Sequence, residues 1–240
     1  MIVRKLALCL FVALGASTVV APLWADEIPT HTSDAPDRPY TVAQLGVGLL
    51  TLPAADVCLR GGPCTKGDNS IEADFWQLYR ANRYFAIGAG ASVALKPVTD
   101  NPPSPDPDLL RTHTRSYFLV EAQARYYWIR ADTFEAWLGL TAGGVIVSDR
   151  YSLDGGQSSS DAAIIGPRAS TVRTEGGVFG ALLGANWSFA PNWAVGFNAR
   201  YMRWFLPHTP ATTVFLDRAS LTDQQDALDF GISCSYRIAL

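Results

Sequence analysis

The sequence predicts an all-β chain: a transmembrane, antiparallel, up-and-down β-barrel of about eight strands. Three observations predict it. Apolar and polar residues alternate with period two over stretches of ten residues or more. Soluble strands usually run only about five or six residues. The connections between these stretches are alternately long and short, and an export signal precedes them.

The signal comes first. Arg4 and Lys5 give a positive start, Leu6 to Val20 form an apolar run, and Ala25 closes a cleavage site. The run is short for a membrane helix and Pro22 interrupts it. Residues 1–25 are therefore read as a signal peptide, 26–39 as a short polar lead-in, and 40–240 as the barrel. No later segment is long and apolar enough for a membrane helix. Losing Arg4 and Lys5 takes the net charge from −3 to −5. That balance leaves no basic patch and excludes a nucleic-acid footprint.

The strands follow in order. The first spans about 40–52. Residues 53–69 carry Gly, Pro and two cysteines and read as a loop. The second and third strands, about 70–80 and 84–95, are separated only by Ala81, Asn82 and Arg83. Residues 96–114 hold five prolines, which a central strand does not tolerate. The fourth strand, about 115–129, turns at Ala131 into the fifth, about 133–147. A Ser/Gly/Asp-rich loop covers 148–175. The sixth strand, about 176–189, turns at Pro191 into the seventh, about 193–205. A last loop, 206–225, leads to the eighth strand, about 226–240. Sorting into short turns on one side and long loops on the other is a habit of transmembrane barrels. An even strand count puts both termini on the short-turn side.

Each strand then has two faces. In the fourth, Phe118, Val120, Tyr126 and Trp128 oppose Glu121, Gln123 and Arg125. In the seventh, Trp193, Val195, Phe197 and Tyr201 oppose Gly196, Asn198 and Arg200. Periodicity alone does not say which face is inside. The small residues and mixed charges suit a narrow lumen of about eight strands. Aromatics such as Tyr79, Trp128, Trp187 and Trp193 flank the short turns, as an interfacial girdle does. The apolar face is therefore assigned to lipid. The second strand fits least well. It would turn Gln77 to lipid and Trp76 and Leu78 inward, a phase that a bulge would repair.

Candidate sites follow from the faces. Glu121, Arg125, Glu135, Arg200 and Arg237 form a salt-bridged interior, joined by Glu72 and Asp74 if the second strand keeps its phase. Such a plug is favoured over a solute pathway by barrel size. Cys58 and Cys64 read as a disulfide in an oxidising compartment. Cys234 reads as a small apolar side chain. Arg115 and Arg203, near the long-loop edge, are candidates for contact with lipopolysaccharide phosphate. Gly180 and Gly184 face inward on one strand, and Asn186-Trp187-Ser188 lies in a membrane strand where glycosylation is discounted. No phosphate-binding glycine loop or metal-spaced cluster is present, so no cofactor is expected.

The signal, the eight alternating strands, the sorted loops and the closing stretch from Phe230 through Tyr236 to Leu240 together resemble the small outer-membrane barrels typified by outer membrane proteins A, X and W. That family often ends in Phe or Trp, where this chain ends in Leu240. The resemblance implies a Gram-negative outer membrane, periplasmic termini, insertion by the barrel-assembly machinery, and contact with lipid and lipopolysaccharide. It implies a non-enzymatic structural or surface role through four long loops, and carries no catalytic residue across. Two rivals remain. One is a lipid A-modifying enzyme, for which His113 and Ser116 are the only candidates, without the His-x-Ser spacing of the outer-membrane deacylases. The other is a porin-like conduit for small or apolar solutes.

Overall fold

The computed structural model describes residues 39–58, 63–100, 110–154, 169–213 and 217–239. The signal peptide and most of the lead-in lie outside them. The strands are β1 (Tyr40–Cys58), β2 (Cys64–Arg80), β3 (Phe85–Lys96), β4 (Val98–Asp100), β5 (Leu110–Arg130), β6 (Phe134–Asp154), β7 (Ala169–Ala190), β8 (Trp193–Phe205) and β9 (Gln224–Ala239). They run in the order β3-β2-β1-β9-β8-β7-β6-β5, and β3 pairs back onto β5 to close the ring. All pairs are antiparallel. The short β4 continues the β3 position along β5 beyond Pro97, whose missing N–H breaks the ladder. The barrel therefore has eight strand positions.

Closure is what the solvent demands. A sheet edge in hydrocarbon would leave unpaired N–H and C=O groups at several kcal/mol each. The short connections are built for tightness. The Asn82 side chain accepts the N–H groups of Tyr84 and Phe85 at 2.8 and 3.0 Å, and Ala131 N–H closes onto Phe134 at 2.8 Å.

The apolar face is outside, as expected. Leu138, Leu140, Leu183 and Ile87 are more than half exposed, and Trp187 is 65% exposed. On β5 this belt runs from Trp128 up to Phe118 and gives way outward to Ser116, Thr114 and Thr112. Eleven strand residues at about 3.3 Å each, tilted about 40°, rise roughly 25 Å, the height of a membrane barrel's apolar band. Leu140 lies midway in this belt. Leu140→Arg is expected to cost about 2–4 kcal/mol, read as a fall in folding yield and heat-modification midpoint in lipid vesicles. An unchanged yield would place this face away from lipid.

Two readings are corrected. No bulge re-phases Trp76–Leu78: β2 pairs with β1 without a slip from Arg80 to Asp68, and its register with β3 shifts only at the far end, between Ile71 and Glu72. Trp76 and Leu78 are buried in the lumen and Gln77 faces out. The lumen has room for Trp76 because Gly90 lies beneath it; a Cβ there would come within 2.4 Å of the indole. Second, β1, β5, β6 and β7 run well beyond the apolar pattern, into segments read as loops. The hydrophobic signal ends where lipid ends, but backbone pairing continues into water with polar residues outside.

Candidate functional site: the filled lumen and its lid

Side chains fill the lumen in layers. Nearest the short turns, Arg80 donates to Glu135 at 2.8 Å and Arg237 reaches the same carboxylate at 3.3 Å. Above them Arg125 donates to Gln44 at 3.0 Å and Gln123 at 3.1 Å, and stacks 4.0 Å over Trp137. Gly184 makes room for that indole.

The next layer is centred on Arg200. Its Nη2 donates to Glu72 at 2.6 Å, its Nη1 to Glu121 at 2.7 Å and its Nε to Asp229 at 2.6 Å. All four side chains are 1% exposed. Asp74 is buried beside them over Gly46. The guanidinium fork serves three carboxylates at once because each N–H edge points to a different strand.

Toward the long loops the lumen turns apolar. Leu50, Leu119, Val145, Met202 and Trp204 form one buried cluster, with Trp204 edge-on to Tyr117 at 5.3 Å. The sequence reading, which filled the tube with polar groups, missed this plug. The plug lies level with the outer end of the apolar belt, Leu119 between the outward Phe118 and Val120. There the interior is an ordinary hydrophobic core.

A lid covers the plug. Residues 206–213 and 217–223 fold inward, with Leu206 and Leu221 joining the apolar cluster. Thr212 and Arg218 bridge within this segment, and Leu206 N–H donates to Asp223 O at 2.8 Å. Asp149 pins it: it accepts Ser220 N–H at 2.9 Å and the Ser220 hydroxyl. His113 Nε2 contacts the same carboxylate at 2.7 Å, with its ring stacked 4.5 Å from Tyr151. Arg115 donates to Ser220 Oγ at 2.7 Å and to Asp68 at 2.8 Å, and Tyr117 hydroxyl also donates to Asp68.

The five interior residues expected from sequence all face the lumen side, but they divide among three layers rather than forming one network. Glu72 and Asp74 join them. Arg80 and Asp229 were missed, although both share the alternation phase of inward neighbours, Leu78 and Gly231. The Asp149–Ser220 pair left no signal, being 71 residues apart.

Arg115 is corrected. It is 2% exposed and points into the lumen under the lid, so it does not reach lipopolysaccharide. Arg203 is outside at the rim, held by Asp226 at 3.0 Å. His113 and Ser116 are on opposite faces of β5, His113 buried in the lumen and Ser116 outward. They cannot act on one substrate. The Cys58–Cys64 disulfide is formed. Cys234 lies on β9 between the inward Ser233 and Ser235. Among the described residues no His/Cys/Asp/Glu group is arranged to hold a metal.

The lid also carries an exposed ion pair, His208 with Asp223. Asp223 holds the imidazole above its ordinary value of 6.5. A raised folded value means the pair contributes below the ordinary histidine range and fades as pH rises through the raised value. An NMR titration should place His208 above 6.5, and Asp223→Asn should return it there. Identical titrations would remove the pair.

No family model matches the sequence, and no curated protein matches it. Solved structures are similar in shape. The crystal structure of Neisserial surface protein A matches at 14% identity and TM-score 0.45, over 83% of this chain and 97% of that one. Ail, the attachment invasion locus protein of Yersinia pestis, in complex with the heparin analogue sucrose octasulfate, matches at 13% and 0.49, over 84% and 99%. OprG from Pseudomonas aeruginosa matches at 10% and 0.46, over 85% and 98%. Likenesses of this size do not reach function. By its eight strand positions, closure, sorted connections and outward apolar belt, the chain has the fold of the small outer-membrane β-barrels.

Proposed function

We propose that the chain is a sealed outer-membrane barrel with periplasmic termini and long loops outward, serving a structural or surface-interaction role and no catalytic one. The observation that carries this reading is the filled lumen. Arg200 with its three carboxylates, the indoles of Trp76, Trp137 and Trp204, and the latched lid occupy it from end to end. A conduit needs an aqueous or greasy path, and each layer here would have to be dismantled to make one. The rival enzyme needs a nucleophile and a base on one face at the lipid surface. His113, spent inside on Asp149, does not supply the base. What remains to act is the external surface and its loops.

Fractionation with cold and boiled gel samples tests the placement. The protein is expected in the outer membrane, with the folded form migrating apart from the boiled one. Single-channel recording in planar bilayers tests the seal, and steady conductance would overturn it.

A further inference from the structure

We propose that Arg150 and Arg173 form a phosphate site for lipid A in the surrounding outer leaflet. The inference rests on the outer-membrane reading above and adds the partner of one surface patch.

The two arginines project outward from neighbouring strands, Arg150 from β6 and Arg173 from β7, and both are exposed. Arg150 lies opposite Thr171 and Ser148 opposite Arg173, so the arginines are diagonal neighbours on one face. Diagonal pairs sit about 7–8 Å apart, close enough for two long side chains to meet on one phosphate. The height is right. The rung below pairs Ile146 with Glu175, and Phe179, 54% exposed, stands two rungs lower still in the apolar belt. The guanidinium groups therefore stand where acyl chains end and headgroups begin.

Two other exposed cations on the outer wall near this rim are occupied. Lys66 is paired with Asp56 at 2.8 Å, and Arg203 with Asp226. Arg150 and Arg173 have no ion pair among the described residues. One carboxylate, Glu175, flanks Arg173 on the same face without bridging it, so two positive charges face one negative. Thr114 lies opposite Arg150 on the β5 side, adding a hydroxyl donor. Guanidinium forks match phosphate oxygens bidentately, and the low dielectric at a lipid boundary strengthens the pairing. Lipid A presents phosphate at this depth on an anchored headgroup, so capture needs no diffusion into the barrel.

The test uses the full barrel folded in detergent, with lipopolysaccharide and its enzymatically dephosphorylated form as probes. The Arg150→Ala/Arg173→Ala variant is expected to bind intact lipopolysaccharide about tenfold more weakly or worse, on the scale of charge-assisted hydrogen bonds. The wild type should bind the dephosphorylated form as weakly. Arg203→Ala, whose arginine is already paired, should bind as the wild type does. Cold-gel migration of each variant confirms that it is folded. Equal binding by the double variant, or indifference of the wild type to the phosphates, overturns the site and leaves the outer-membrane reading standing. A wild type that never fractionates with the outer membrane overturns that reading, and the site with it.

Discussion

Arg200→Leu is expected to lose about 3–5 kcal/mol of barrel stability, because removing one partner from a buried ion network leaves the others uncompensated. The loss here is unusually concentrated. Arg200 is the shared partner of Glu72, Glu121 and Asp229, and Asp74 is buried in the same layer. With Arg200 gone, Arg125 is the nearest cation among the described residues left to offset four carboxylates. The leucine fills the volume without serving any of them. Trp76, whose ring lies 5.7 Å from the Arg200 guanidinium, is a built-in reporter. Urea unfolding in detergent, followed by tryptophan fluorescence, should show a lowered midpoint. Adding Glu72→Gln and Asp229→Asn to Arg200→Leu should restore part of it, since amides are cheaper to bury than unpaired carboxylates. Arg200→Lys should fall between, keeping the charge but losing the three-edged fork. An Arg200→Leu midpoint equal to wild type would mean that the layer does not hold the barrel together.

Asp149→Ala should release the lid. The carboxylate accepts two hydrogen bonds from Ser220, contacts His113 at 2.7 Å and lies 3.7 Å from Arg115. Removing a buried charge with this many partners costs about 3–5 kcal/mol, here drawn from lid closure more than from the barrel wall. Trypsin reads the outcome. Arg218 sits in the lid with its backbone held by the Thr212 bridge and the Tyr151 hydroxyl. Cleavage after Arg218 should be slow in the wild type and at least tenfold faster in Asp149→Ala. The variant should stay electrically silent in planar bilayers, because the Arg200 and Trp137 layers still fill the tube. Conductance on lid release alone would relocate the seal to the lid. Protection unchanged by the mutation would remove Asp149 as the latch.

Particular residues show why some of this was legible in sequence. Alternation is a local property, so the faces of β5 and β8 could be read directly from Phe118 against Glu121 and Phe197 against Asn198. The same rule keeps Trp76 inward, and no bulge at that point of β2 is needed to turn its large indole elsewhere. Its seat is Gly90, contributed by the next strand. The disulfide was legible for the same reason, since Cys58 and Cys64 are six apart in sequence. Arg115 stands at the height of lipid headgroups, but phase and not height decides which way a strand residue points. Its alternation with Tyr117 and Leu119 already pointed inward.

By itself the sequence determined the all-β class, the strand number, the sorted connections and the lipid-facing side. Each of these is written in short-range periodicity or in turn composition, and one solvent, hydrocarbon, enforces them all. Only the tertiary structure decided which carboxylates meet Arg200, that the lumen becomes apolar toward the long loops, and that residues 206–213 and 217–223 turn inward onto Asp149. Those outcomes depend on residues brought together from distant strands by ring closure, and no local pattern encodes which partner will arrive across a closed tube.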